Sequence, residues 1–199
     1  MAVRARRAAG AAAVLLAVLG GTASAQEKLS VTLTAAGVFP RDGLVRRIYG
    51  TGLAAAADVW LKLKGPLGLA AGFSRLADTG AAASFSAADD EVFPVRFRRQ
   101  TVPVVLFYRI GLGGADLRAG AGLAVHGFRE AWQTVDLDYK GHGWGPRFLL
   151  AARVRLFDRL SCLASVVYDS FRAGADSPNA GAVALGGFQV GGGLSWRVY

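Results

Sequence analysis

The chain has 199 residues, 53% of them hydrophobic and 19% charged, with a formal net charge of +9 and one cysteine. A lone Cys162 excludes an intramolecular disulfide, and no His, Cys, Asp or Glu set stands at metal-ligand spacing, so neither a metal nor another cofactor is expected. Basic excess alone would admit nucleic acid, but the arginines are scattered at alternate positions rather than clustered on a helix, so no nucleic-acid partner is expected.

Residues 1–25 read as a signal peptide. Arg4, Arg6 and Arg7 precede an apolar run from Ala8 to Leu19, and Ala23-Ser24-Ala25 supplies small residues for cleavage after Ala25. Ala-Ala-Gly after Arg6-Arg7 lacks the twin-arginine pattern, which leaves Sec export, and no cysteine follows to carry a lipid anchor. Beyond this segment no apolar run approaches the roughly 18 residues of a membrane helix. Residues 26–199 are expected to form one domain.

From Leu29 the apolar residues alternate. Leu29, Val31, Leu33 and Ala35 share one face of a first strand ending near Phe39, with Ser30, Thr32 and Thr34 on the other. Pro40 to Arg47 reads as a loop. A second strand, Ile48 to Lys64, sets Leu53, Ala55, Ala57, Val59, Leu61 and Leu63 against Asp58, Trp60, Lys62 and Lys64, and Gly65-Pro66-Leu67-Gly68 closes it in a tight turn. The third strand runs from Leu69 to Ala77, and the Ala-, Ser- and Asp-rich stretch Asp78 to Phe93 reads as a large surface loop. A fourth strand begins near Val95, with Arg96 and Arg98 expected inside and Pro103 predicting a bulge or a local break in pairing.

Val102 to Phe128 is the clearest segment. Val102, Val104, Leu106, Tyr108 and Ile110 alternate up to a Gly-rich turn at Gly111 to Asp116, after which Leu117, Ala119, Ala121, Leu123 and Val125 alternate again. The opposite face carries Arg109, Arg118, Gly120, Gly122 and His126, which would pack poorly inside a soluble sandwich. Arg129 to Gly145 reads as a second substantial loop. The sixth strand alternates Phe148, Leu150, Ala152, Val154 and Leu156 with Arg147, Arg153 and Arg155. Asp158-Arg159 turns into a seventh strand, Leu160 to Phe171, with Ser161, Ser165 and Asp169 inside. After a loop at Ala173 to Gly181, a last strand runs from Ala182 to Tyr199.

Eight strands with a uniform apolar face and a charged face predict an antiparallel up-and-down transmembrane β-barrel, apolar side toward lipid. The links after strands two, four and six are short and the others longer, as in outer-membrane barrels with tight periplasmic turns. This topology brings Trp60, Tyr108, Phe157, Trp196 and Tyr199 to one interface and Phe39, Tyr49, Phe97, Phe128, Trp144 and Phe171 to the other, which predicts two aromatic girdles. A soluble barrel of lipocalin type would reverse the two faces.

Through VPVVLFYRIG, the short turn, LRAGAGLAV and the closing GGFQVGGGLSWRVY, the chain resembles the small eight-stranded outer-membrane β-barrel family of the OmpA/OmpX type. The resemblance covers the whole region after the signal. It implies location in an outer membrane, in contact with its lipid and lipopolysaccharide, and passage through the barrel-assembly machinery, for which Trp196, Val198 and Tyr199 would form the terminal signal. Tyr199 falls on the face opposite Phe188, Val190, Leu194, Trp196 and Val198, so it is either an overhang or Val198 is the effective end. A monomer is expected.

A barrel of this size encloses little beyond its own side chains. An ion-pair network of Asp58, Lys62, Arg153, Arg155 and Asp169 is expected in the lumen, and Arg96, Arg98, Arg118, His126 and Arg147 are candidates to hold an anionic group in the lumen or at its outer rim. The favoured function is non-enzymatic, a structural or surface-interaction role through the outer loops. A narrow conduit for small or apolar solutes and a lipid A-modifying enzyme are the alternatives. Against an enzyme, Phe128 stands where a His-x-Ser pairing with His126 would need serine.

Overall fold

The computed structural model describes residues 29–83, 92–112, 115–133, 137–172 and 184–198. The proposed signal segment and Tyr199 lie outside them. Eight strands, β1 (Leu29–Pro40), β2 (Gly52–Lys62), β3 (Leu67–Ala83), β4 (Val92–Leu112), β5 (Ala115–Trp132), β6 (Leu137–Arg155), β7 (Leu160–Asp169) and β8 (Gly187–Arg197), form a closed antiparallel barrel in sequence order. Closure is made by β1 on β8, where Leu33 lies opposite Leu194. Closure leaves no free sheet edge within the lipid.

Side chains sort as the alternation predicts. Val102, Val104, Leu106, Tyr108 and Ile110 are exposed on β4, as are Leu117, Leu123 and Val125 on β5, Phe148, Leu150 and Val154 on β6, and Phe188, Val190, Leu194 and Trp196 on β8. Thr32, Arg118, His126, Arg147, Arg153, Asp169 and Gln189 are buried inside. An apolar exterior around a polar interior rules out the lipocalin arrangement. Inner-face glycines allow the barrel its curvature: a Cβ on Gly122 would meet the Val104 carbonyl, and one on Gly193 the Leu33 carbonyl.

The connections divide into two ends. Short links join β2 to β3, β4 to β5 and β6 to β7 at the end where the described termini lie; Leu63 N–H donates to Leu67 O across the first at 2.9 Å, and Leu156 N–H to Leu160 O across the third at 3.0 Å. The left-handed residue of the first turn is Gly65, with φ of 63°.

At the other end the sequence expectations need correction. Pro40 to Arg47 is no plain loop: α1 (Gly43–Tyr49) forms there, its N-terminus capped by Asp42, whose carboxylate accepts from the Leu44 and Val45 amides, and its C-terminus closed by Gly50 at φ 66°. Within the expected loops Asp78 to Phe93 and Arg129 to Gly145, residues 78–83, 92–93, 129–132 and 137–145 are strand, and 84–91 and 134–136 lie outside the described residues. β3 to β6 have 17, 21, 18 and 19 residues, against 12, 11, 10 and 11 for β1, β2, β7 and β8. Since about 9–11 residues cross a bilayer, the surplus stands beyond the outer interface as a four-stranded wall on one side of the mouth.

The second correction concerns phase. Arg96 and Arg98 point outward, while Val95, Phe97 and Arg99 are buried inside. Pairing of β4 with β5 runs without a bulge from Leu112 opposite Ala115 to Val95 opposite Trp132, so Arg96 and Arg98 keep the outward phase of Val102. Pro103 does interrupt pairing, but only with β3: contacts lapse between Ala71–Val104 and Ser74–Thr101, and the register on both sides is the same. A missing N–H removes a ladder bond without shifting the count.

The aromatic girdles also divide. Tyr108, Phe157, Trp196, Phe39 and Trp144 are exposed on the exterior, but Trp60, Phe97 and Phe171 are buried in the lumen, where Tyr49 and Phe128 pack as well.

Leu106, half exposed and paired with Ala121, sits at mid-height of the lipid-facing band. Leu106→Arg is expected to destabilise the barrel by about 2–4 kcal/mol, measured as the shift in urea unfolding in lipid vesicles.

Candidate functional site

The lumen is filled in three layers. In the periplasmic half, Asp116 opens β5 in phase with Arg118 and is gripped by Arg118 Nε at 2.7 Å and Arg153 Nη2 at 2.7 Å, with Arg109 Nε at 3.4 Å. The Arg118 guanidinium also lies over the Trp60 ring, 4.7 Å from its centroid, and Trp60 packs on Phe107 at 5.1 Å. A cation held by a carboxylate and two aromatic faces is stabilised without water. Arg155 lies exposed at the same mouth, lining a small cavity with Asp116, Arg153 and Arg197, and Lys62 lines another beside Arg118 and Trp60.

In the middle layer Arg147 Nη1 reaches both Asp169 oxygens at 3.3 Å, and Gln189 Nε2 donates to Asp169 Oδ2 at 2.7 Å. Asp58 faces the same cavity as Arg147 and Gln189, without an ion pair to Arg147. Toward the outer end Arg99 Nη1 donates to the Leu185 carbonyl at 2.9 Å, and His126 is fully buried, its Nδ1 3.0 Å from Thr101 Oγ1 and its ring stacked on Phe171 at 4.0 Å. Above them Val38, Val45, Ala54, Leu76, Phe97, Phe171 and Leu185 close the mouth as an apolar cluster, with Val45 brought in by α1.

The expected network of Asp58, Lys62, Arg153, Arg155 and Asp169 is thus two separate clusters. Arg153 belongs to Asp116, which the sequence reading had assigned to the turn, and Asp169 belongs to Arg147. The expected anion set is divided as well. Arg118, His126 and Arg147 are inside at different heights, and Arg96 and Arg98 are on the exterior. Arg99, the inward member of that run, was missed; its parity with Thr101 marks it.

The projecting wall has two unlike faces. Its inner face is aromatic: Tyr49 packs on Phe97 at 5.0 Å, Phe97 on Phe128 at 6.3 Å and Phe93 on Trp132 at 6.2 Å, and the Trp132 indole donates to Glu130 at 2.9 Å. Burial, then the neighbouring Glu130 carboxylate, push the Tyr49 hydroxyl well above the ordinary phenol range. The outer face is basic. Arg98 on β4 stands opposite Arg129 on β5, and Arg129 opposite Lys140 on β6. Asp138 takes a two-pronged bond from Arg129, both contacts 2.8 Å, and one from Lys140 at 2.8 Å. Arg96 and Arg98 have no acidic partner among the described residues, and with Arg129 and Ala131 they line a shallow cleft of about 140 Å³.

A closed eight-stranded sheet with lipid-facing apolar residues and a packed polar lumen is the architecture of the small outer-membrane β-barrels, and the chain has that fold. Among solved structures it is similar to Neisserial surface protein A, with a TM-score of 0.60 and 13% identity over 84% of this chain and 96% of that one. It is also similar to a major outer-membrane protein of Thermus thermophilus, with a TM-score of 0.54 and 13% identity over 85% and 98%, and to the N-terminal barrel domain of Pseudomonas aeruginosa OprF, at 0.51 and 12% over 84% and 96%. No family model and no curated protein matches the chain in sequence.

Replacing Asp116 leaves three guanidiniums facing one another in the lumen. Asp116→Asn is expected to cost about 3–5 kcal/mol, measured by urea unfolding of the refolded barrel. On the wall, the Arg129 bond, followed by that from Lys140, lowers the Asp138 carboxyl to about 2. The carboxylate is therefore favoured in the folded state, and its contribution, complete above the ordinary carboxylate range, is lost as pH falls toward 2. An NMR titration of the Asp138 carboxyl should give that midpoint in the native barrel and a higher one in Arg129→Gln.

Proposed function

We propose that this protein is a non-enzymatic barrel that acts from its outer surface, with the filled cylinder serving as an anchor for the projecting wall. The observation that carries this reading is the combination of a lumen closed at two levels, by the Asp116–Arg118–Trp60 cluster below and the α1 cluster above, with four strands that run far past the membrane on one side only. A conduit would need the two clusters to part.

An enzymatic role is opposed by the surroundings of His126. Its Nδ1 faces a threonine hydroxyl, its ring is stacked on Phe171, and no carboxylate orients it among the described residues. A general base needs access to substrate as well as an orienting partner. His142, the other histidine, lies exposed on the exterior of β6. The N-terminal charge, apolar run and Ala-Ser-Ala sequence support Sec export with cleavage after Ala25, so that the mature chain begins at Gln26.

Three readouts on one preparation test this. The protein purified from outer membranes should begin at Gln26 by mass spectrometry. In planar bilayers it should show no single-channel steps, whereas Trp60→Ala combined with Arg118→Ala should introduce them. Lipid A from cells overexpressing it should keep its normal mass. Steps from the wild-type barrel would establish a conduit, and altered lipid A an enzyme; either result overturns the proposed role.

A further inference from the structure

Resting on the surface-acting reading, the geometry points to a lipid-binding site on the outside of the barrel: we propose that Arg96, Arg98 and Arg129, flanked by Lys140, bind the phosphate groups of outer-leaflet glycolipid from the lipid side.

The argument begins with register. Phe73, Val102, Val125 and Trp144 are exposed on β3 to β6 and mark the upper margin of the apolar exterior; Val102 pairs with Val125 and Val125 with Trp144. Four residues further out along the same strands, Arg98, Arg129 and Lys140 stand side by side on that same exterior face. At ~3.4 Å per residue and a tilt near 40°, four residues raise the chain about 10 Å above the apolar margin. Headgroups occupy about 5–7 Å on each side of the hydrocarbon core, within reach of a side chain as long as arginine, so the guanidiniums face phosphates rather than acyl chains or bulk water.

Charge supports the same conclusion. Like charges directly opposite on neighbouring strands repel, yet Arg98 is set opposite Arg129 and Arg129 opposite Lys140. Asp138 offsets two of these cations, Arg129 and Lys140. Arg96 and Arg98 lack a partner among the described residues while bordering one cleft with Arg129. A row of arginines with forked donors, left short of anions, suits a phosphate that accepts from two guanidiniums at once. The site is continuous with the lipid-facing surface, which selects a ligand whose acyl chains lie on Val102, Val125 and Trp144 while its phosphates meet the arginines. A soluble anion has no use for that apolar margin.

The mature barrel is reconstituted in phosphatidylcholine nanodiscs containing a small fraction of bisphosphorylated lipid A, and retained lipid A is counted by native mass spectrometry. Wild-type barrel should retain at least tenfold more of it than of lipid A stripped of both phosphates. Arg96→Gln with Arg98→Gln should lower retention at least tenfold with the thermal transition unchanged, and Asp138→Asn, which frees two cations, should raise it. Arg46→Gln, on α1 and away from the row, should leave it at the wild-type level.

The proposal fails if the double variant retains lipid A like wild type, if Arg46→Gln loses as much, or if dephosphorylated lipid binds equally. It also fails if millimolar pyrophosphate or an acidic polysaccharide displaces the lipid completely, since the site would then belong to a soluble anion. Because bilayer conductance is measured separately, loss of this site leaves the surface-acting reading standing, and a conducting barrel would fail that reading whatever the lipid result.

Discussion

The unbroken register around the barrel is the constraint on which the rest depends. In lipid an unpaired amide costs several kcal/mol, so the sheet must close, and once closed without bulges between β4 and β5 each residue's face is fixed by parity alone. Even-numbered residues of β4 face outward from Pro94 to Leu112. The parity that gives lipid Val102, Val104 and Leu106 gives the exterior Arg96 and Arg98, and the opposite parity gives the lumen Arg99, Thr101 and Phe107. Nothing local to Arg96 decides its direction.

That rule explains why the interior and the wall solve opposite problems. Inside the membrane level, cations are buried, and each major one is met: Arg118 and Arg153 by Asp116 and aromatic rings, Arg147 by Asp169, Arg99 by a carbonyl. Unpaired charge there would be costly. Beyond the membrane the exterior face touches water and headgroups, and surplus cations are tolerated. The aromatic series that might have ringed the outer interface is instead turned inward, where Phe97, Phe171 and Val45 seal the mouth. Sealing with apolar side chains avoids the partners that a polar plug would demand.

Much of this was legible from alternation. β1, the β4–β5 hairpin, β6 and β8 carry a strong two-residue period because one face must be apolar for lipid, and their faces were assigned correctly. Beyond the lipid that requirement lapses. Around Arg129 and Lys140 the exterior is charged, so continuing strand looked like loop. Asp116 was lost to the glycine-rich turn although it shares the parity of Arg118. Arg96 and Arg98 were expected inside although they share the parity of Val102; the break in pairing at Pro103 brings no change of phase, because proline removes a donor, and a donor can be missing from one ladder while the other stays in step. α1 did carry its marks, with Asp42 and Gly50 bracketing seven residues, but its apolar contribution to the core is chiefly Val45, too little to show a helical period.

The two faces of the wall follow from where each looks. On its inner side Tyr49, Phe97 and Phe128 pack in sequence against the apolar cluster at the mouth, with Glu130 receiving the indole of Trp132. Its outer side is packed against no other described part of the chain, so aromatic residues there would expose apolar area, while arginine keeps its charged head in water or, on the proposal above, against phosphate. Lipid therefore acts on this chain twice. Its hydrocarbon dictates which parity is apolar across the membrane, and on the proposed phosphate contacts its headgroups account for the same parity turning basic a few residues later, with Val102 and Arg98 on one strand and one face marking the change.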